Sequence, residues 1–145
     1  RTLYREVTNV PIIVFGPDIN ARTIEAPVAL GDLYPTFIEL AGLEVPEDCT
    51  MVSQAPVLFG AEPDRERLVF QENSWSRPRR HVKGVVSQRY HMLMDMTAHL
   101  FELYDLVEDP EEKHNLYGTG LEIEVHLKQA LTWFVQTTEI PSELL

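Results

Sequence analysis

The chain has 145 residues, 44% of them hydrophobic and 24% charged, which suits one globular domain and excludes extensive disorder. Lys and Arg total 12 against 23 Asp and Glu, a formal charge of -11 that excludes a general nucleic-acid binder. No apolar run reaches the ~18 residues of a membrane span, and the single cysteine excludes both an internal disulfide framework and a multi-Cys zinc site.

The sequence opens on Arg1 with neither a Met nor a basic, apolar leader, so it reads as a chain from which something upstream is missing. Val10-Pro11-Ile12-Ile13-Val14-Phe15, closed by Gly16-Pro17, is a continuous apolar run of the kind found in a parallel strand buried on both faces. A loop holding Arg22 follows. Asp32 is placed to cap a helix with Pro35 in its first turn, Leu33, Phe37, Leu40 and Ala41 on its apolar face, and Gly42 as its stop. Residues 44–64 form a proline-bearing connection with one turn of structure near 55–59.

Beyond it, residues 67–72, 81–87, 90–96 and 99–103 read as four short strands of an antiparallel sheet. Asn73 to Arg80 reads as an irregular loop, Gln88-Arg89 as a tight turn, and Asp109-Pro110 as a turn start. The last helix is predicted over residues 121–136, burying Ile123, Leu127, Ala130, Leu131, Phe134 and Val135. A lone buried strand cannot make a parallel sheet, so the Val10 strand is expected to find its neighbours elsewhere in a longer protein.

Three stretches carry a family resemblance: residues 3–14, Val28-Ala29-Leu30-Gly31-Asp32-Leu33-Tyr34-Pro35-Thr36 running on to Ala41-Gly42, and Leu103-Tyr104-Asp105-Leu106 followed by Asp109-Pro110 and Asn115-Leu116. In order and spacing they resemble the C-terminal part of a sulfatase of the alkaline-phosphatase-like superfamily. The resemblance implies an α/β fold: residues 1–62 are the end of the main α/β domain, and residues 63–145 a small subdomain of antiparallel sheet plus C-terminal helix. The segment taken alone would class as α+β. The motif residues themselves are read as structural: Leu103, Tyr104 and Leu106 for packing, Asp109-Pro110 and Asn115 for turns.

For the parent enzyme the resemblance implies a formylglycine nucleophile made from a Cys/Ser-x-Pro-x-Arg motif, a calcium ion held by carboxylate and amide oxygens, and cationic side chains that clamp the sulfate. Cys49 is followed by Thr50-Met51-Val52-Ser53, so it does not fit, and it reads as a semi-buried small residue. The paired Asp-Asp and Asp-Asn or Asp-His ligand patterns do not occur. Glu108, Asp109, Glu111 and Glu112 read as a solvated acidic turn, and Met92, Met94 and Met96 as packing along a strand. No cofactor is therefore expected in this chain. The last catalytic residue of the family pattern would fall at or just before Arg1, so the chain by itself is expected to be inactive.

One stretch is suited to touch a substrate. Arg77, Arg79, Arg80 and Lys83 concentrate four of the 12 basic residues in seven positions of an acidic chain. Paired guanidinium N–H groups match sulfate oxygens, and Lys acts as a point charge. Trp75, Arg77, Arg80, His81 and Lys83 are the candidate substrate-binding group, with Trp75 as a stacking surface and Glu72 and Asn73 at the same mouth. The alternative use of His81 and Lys83 is as outward positions of a strand.

The reading is thus a sulfatase-like hydrolase segment whose parent cleaves an aryl or carbohydrate sulfate ester. A phosphonate or phosphate ester hydrolase of the same superfamily is the alternative chemistry. A non-catalytic module binding an anionic glycan or a protein is the alternative class. The expected partners are the rest of the parent chain and a sulfated small molecule or carbohydrate; exposed apolar surface would also favour self-association.

Overall fold

The computed structural model describes residues 3–76 and 79–138, side chains at 75, 76, 79 and 80 excepted. In chain order the elements are α1 (Arg5–Thr8), a 3-10 turn (Leu30–Asp32) leading into α2 (Leu33–Leu40), α3 (Ala55–Leu58), β1 (Val69–Ser76), β2 (Arg79–Val86), β3 (Tyr90–Asp95), β4 (Leu100–Asp105) and α4 (Glu122–Thr137). They fall into two compact units: Pro11–Arg67, and Arg1–Val10 together with Leu68–Leu145.

In the second unit the strands form an antiparallel meander in the order β1-β2-β3-β4. Short polar turns fix it. The hydroxyl of Ser87 accepts from the Tyr90 amide at 2.9 Å and donates to the Tyr90 carbonyl at 3.1 Å, closing the β2–β3 turn. Asp95 Oδ1 accepts from the amides of Thr97 and Ala98 at 2.9 and 3.0 Å and closes the next. Alternation then sorts the side chains. On one face the register Phe70↔Val85, Val85↔Met92 and Met92↔Leu103 lines up apolar groups against Leu127 and Leu131 of α4. On the other, Val82, Leu93 and Tyr104 pack with Leu3 and Tyr4 of the N-terminal segment. Both faces are covered, which explains why Val82 and Val85, on opposite faces, both belong to the core.

Gly84 has a specific reason to lack a side chain. A Cβ there would stand 2.8 Å from Leu93 Cδ2 and 3.2 Å from His91 Nε2, so those two side chains occupy the space above it.

The expected sheet and terminal helix are present, and β1 and β2 run further than expected. Instead of an irregular loop over 73–80, the ladder continues through Ser74↔His81, Trp75↔Arg80 and Ser76↔Arg79. Pairing with a partner strand overrides the weak strand preference of Asn and Ser.

The first unit differs more. Val10 to Phe15 forms no strand, and Ile13 and Phe15 are 86% and 92% exposed. A strand of this composition needs neighbours on both edges and both faces, and no strand lies among the residues of this unit. Within α2 the buried residues are Pro35 and Thr36, while the expected core residue Phe37 is 61% exposed. Asp32 makes no side-chain cap to α2. Its buried carboxylate accepts from the amides of Ala29 at 2.8 Å and Val52 at 3.1 Å, and from both terminal nitrogens of Arg67 at 2.5 and 2.8 Å. Thr36 extends the network, donating to the Asp32 carbonyl and accepting from the Gln54 amide at 2.8 Å. Polar bonding rather than apolar packing organises this unit.

Candidate functional site

The base of the β1–β2 hairpin holds the concentrated polar chemistry. Glu72 stands opposite Lys83, and Ser74 opposite His81, so strand alternation puts all four on the face that α4 covers. Glu72 Oε1 accepts from Ser74 Oγ at 3.0 Å and is bonded to His81 Nε2 at 2.9 Å. Glu72 Oε2 lies 3.1 Å from Lys83 Nζ. Lys83 has 0% of its side chain exposed, donates also to the hydroxyl of Thr138 at the end of α4, and lies 4.8 Å above the Phe134 ring centroid. Desolvation pushes the Glu72 carboxyl upward, but the hydrogen bonds from Lys83, Ser74 and His81 outweigh it and hold the group below its ordinary range.

Two of the five candidate substrate residues, His81 and Lys83, are thus brought together, with Glu72 between them. Arg77 lies outside the described residues, as do the side chains of Trp75 and Arg80. Ser74 and His81 both engage the same carboxylate oxygen rather than each other. The trio therefore lacks the nucleophile-to-base hydrogen bond of covalent catalysis.

A second buried pair lies on the opposite face of the sheet. His91 Nδ1 is 2.5 Å from Glu112 Oε1, and both side chains are buried. Glu112 also accepts from the Arg5 amide. Glu112 is thus no part of a solvated acidic turn; it reaches back 21 positions to β3, a partnership that no local pattern announces. Glu108 and Glu111 are exposed as expected. Beside them, Glu102 accepts from the hydroxyls of Tyr4 at 2.8 Å and Tyr104 at 3.2 Å. Burial, then the charge of Glu102, pushes the Tyr104 hydroxyl upward, so it stays protonated and donates.

The motif residues are accounted for by turns. Asp105 accepts from the amides of Val107 and Glu108 and pairs with Arg89 at 2.7 Å. Asp109 accepts from the His114 amide at 2.7 Å. Asn115 Oδ1 takes the amides of Leu103 and Tyr117 at 3.0 and 2.9 Å, and so ties the turn to β4. Cys49 is a partly buried free thiol.

The hairpin also spells Ser76-Arg77-Pro78-Arg79-Arg80, which has the Ser-x-Pro-x-Arg order and which a search centred on Cys49 passes over. Ser76 ends β1, paired with Arg79 in the ladder. Among the described residues no group of three or more His, Cys, Asp or Glu side chains could hold a metal ion.

Residues 1–136 match the family described as "N-sulphoglucosamine sulphohydrolase, C-terminal". The chain belongs to this sulfatase family. It is 33% identical over 126 residues to the Delta 4,5-hexuronate-2-O-sulfatase of Bacteroides thetaiotaomicron, covering 79% of this chain and 25% of that protein. To the N-acetylglucosamine-6-O-sulfatase of the same organism it is 32% identical over 129 residues, covering 81% and 23%. A crystal structure described as that of a sulfatase from B. thetaiotaomicron superposes with a TM-score of 0.77 at 30% identity, covering 93% of this chain and 31% of that one. The small antiparallel sheet with its C-terminal helix matches the C-terminal domain of sulfatases. The chain spans about a quarter of the length of the curated relatives it matches.

Proposed function

We propose that this sulfatase domain serves a hydrolase that cleaves a sulfate ester from a carbohydrate. The observation that carries the reading is the family match over residues 1–136; the sugar sulfates that the two similar B. thetaiotaomicron enzymes are named for supply the substrate class. In this reading residues 11–67 complete the main α/β domain, and residues 68–145, with Leu3 and Tyr4 packed on their sheet, form its small C-terminal subdomain. The nucleophile, a formylglycine, and the calcium ion belong to the rest of the enzyme.

The contribution of this chain is substrate contact through the β1–β2 hairpin. Trp75 offers a stacking face and Arg77 and Arg80 supply cationic groups, while His81 and Lys83, the other two candidates, are engaged by Glu72. Arginine pairs suit a sulfate or carboxylate on the sugar, and the hairpin concentrates charge of the required sign in a chain of net -11.

The test joins this chain to its own upstream coding sequence and measures sulfate released from the trisulfated unsaturated disaccharide of heparin, with calcium present. Release is expected from the joined protein and none from the 145-residue chain. Turnover by the 145-residue chain, or phosphate-ester cleavage in place of sulfate release by the joined protein, overturns the reading.

A further inference from the structure

Residues 3–5 form a strap across the sheet face that α4 leaves uncovered, and polar bonds hold it there. The Tyr4 hydroxyl donates to Glu102 at 2.8 Å, the Arg5 amide to Glu112 Oε2 at 2.5 Å, and the Arg5 guanidinium to the Leu106 carbonyl at 3.2 Å. The other oxygen of Glu112 is bonded to His91 Nδ1 at 2.5 Å, and the two side chains are 2% and 1% exposed. His91 Nε2 is buried over Gly84 and has no hydrogen-bond partner among the described residues.

This arrangement has no good place for a second proton. One proton serves the bond between Nδ1 and Oε1. A further proton on Nε2 would be a buried donor with no acceptor. A further proton on Glu112 Oε2 would set an O–H against the Arg5 N–H, donor facing donor, and the strap would lose that anchor. When the strap lifts, water can reach the pair and accept from it. The docked form therefore binds fewer protons than the open one, and docking weakens as pH falls. The backbone adds to this bias. Glu112 has φ +54°, a left-handed conformation that a residue with a Cβ adopts at a cost, so the loop relaxes once the carboxylate is free.

Few other ionisable groups face the pair. From β4, Tyr104 stands opposite His91, and Glu102 takes the hydroxyls of Tyr4 and Tyr104. From β3, Asp95 lies on the same face and holds the amides of Thr97 and Ala98. β2 offers Val82, Gly84 and Val86 there, none of them ionisable. In the Glu112 loop, Asp109 is bonded to the His114 amide, and the exposed Glu111 and Lys113 pair with each other. Gln71, opposite Gly84 on β1, has a buried Oε1 that is likewise without a partner and makes no bond to His91.

We infer that His91 and Glu112 form an acid-sensitive latch: uptake of one proton by the pair frees the strap and uncovers the apolar face of Val82, Leu93 and Tyr104 that Leu3 packs against. This goes beyond sulfate ester cleavage and does not rest on it.

The experiment follows the 145-residue chain by NMR from about pH 7.5 to about pH 4.5. It reads the exchange protection of the Arg5 amide, the Leu3 methyl shifts and the His91 ring shifts, with the amides of β2 and β3 reporting on the intact sheet. In wild type the Arg5 protection factor should fall about tenfold or more as the pair takes up its proton, while β2 and β3 stay protected. Glu112→Gln presents hydrogens where the carboxylate only accepts, and should leave Arg5 unprotected already at neutral pH. His91→Asn keeps a donor in the place of Nδ1 but has no ring nitrogen to take the second proton, and should move the opening to lower pH; an unmoved opening refutes the latch. Glu102→Gln keeps an acceptor for both tyrosine hydroxyls and should open at the wild-type pH; loss of the opening makes Glu102 the sensor and refutes the latch. Arg5 protection that persists while the His91 ring takes up a proton would mean that Nε2 has found Gln71 Oε1, and overturns the inference. Protection lost at Arg5 only together with β2 and β3 is global acid unfolding and overturns it too. If either variant of the pair does not fold, the wild-type and Glu102→Gln titrations decide alone.

Discussion

Gly84→Ala is the sharpest test of how the sheet is packed. The new methyl would stand 2.8 Å from Leu93 Cδ2 and 3.2 Å from His91 Nε2. Neither neighbour can retreat easily. Leu93 is 3% exposed, and His91 is held by Glu112 at 2.5 Å. Forcing a methyl into a filled core costs about 1–3 kcal/mol. If His91 swings away, the buried Glu112 carboxylate loses its side-chain partner, a further cost of about 1–3 kcal/mol. The gain from restricting the unfolded chain, about 0.4–1 kcal/mol, offsets only part of this. A net loss of about 2–4 kcal/mol follows, which at a mid-range slope of about 2 kcal/mol per molar urea lowers the unfolding midpoint by roughly 1–2 M. Urea unfolding followed by circular dichroism measures it. Gly84→Ala combined with Leu93→Ala should cost less than the sum of the two singles, because the second change removes the atom that the first collides with. An unchanged or raised midpoint for Gly84→Ala would refute the packing argument.

Acid should destabilise the fold in a defined window. Burial pushes Asp32 up, but Arg67 and the amides of Val52 and Ala29 outweigh it; Glu72 is held low by Lys83, Ser74 and His81, and Asp105 chiefly by Arg89. Folded-state values below the ordinary 3.8 and 4.5 mean that this stability is complete above those values and is lost as pH falls through the lower, folded ones; a urea midpoint that stays flat from pH 6 down to 2 would contradict it. Arg67→Met should leave the buried Asp32 carboxylate with only its amide partners, costing about 3–5 kcal/mol at most, and should speed hydrogen exchange at Ala29, Val52 and Gln54; unaltered exchange there counts against the network. The exposed apolar run should make the chain self-associate, and Ile13→Lys with Phe15→Lys should return it to a monomer in sedimentation velocity, whereas a wild type monomeric at every concentration refutes this. Mass spectrometry of the peptide spanning Ser76 should find unmodified serine; a species lighter by two hydrogens would show conversion to formylglycine on the hairpin.

The sheet and α4 were legible because their signals are local. Alternation in Val82 to Val86 and Tyr90 to Asp95, the tight turn at Gln88-Arg89, and the helical spacing of Leu127 and Leu131 all act within a few positions. The turn roles of Asp109 and Asn115 were legible for the same reason. Glu112 was not, because its partners Arg5 and His91 are distant in sequence, and an acidic residue among others looks solvated until its partner is located. Lys83 was ambiguous on similar grounds: a lysine at an alternating strand position faces water unless a carboxylate and a helix end arrive to enclose it. The Val10 to Phe15 run was read by its composition, which records what such a segment is suited to pack against rather than what surrounds it here. Asp32 has the sequence signature of a cap, yet its carboxylate is taken up by an arginine 35 positions away.

The N-terminal strap has a consequence for how the chain is made. Leu3 and Tyr4 pack on a sheet whose first strand begins at Val69, and the Arg5 amide bonds to Glu112, 107 positions on. A ribosome adding about 5–20 residues per second delivers Glu112 roughly 5–20 s after Arg5. Throughout that interval Leu3 and Tyr4 have no sheet to cover, and the unit between them and β1 emerges first. Closing so long a loop is entropically late as well as temporally late. Leu3, Tyr4 and Arg5 are therefore made well before the sheet and Glu112 that secure them, and they remain open to any competing apolar surface until that sheet forms.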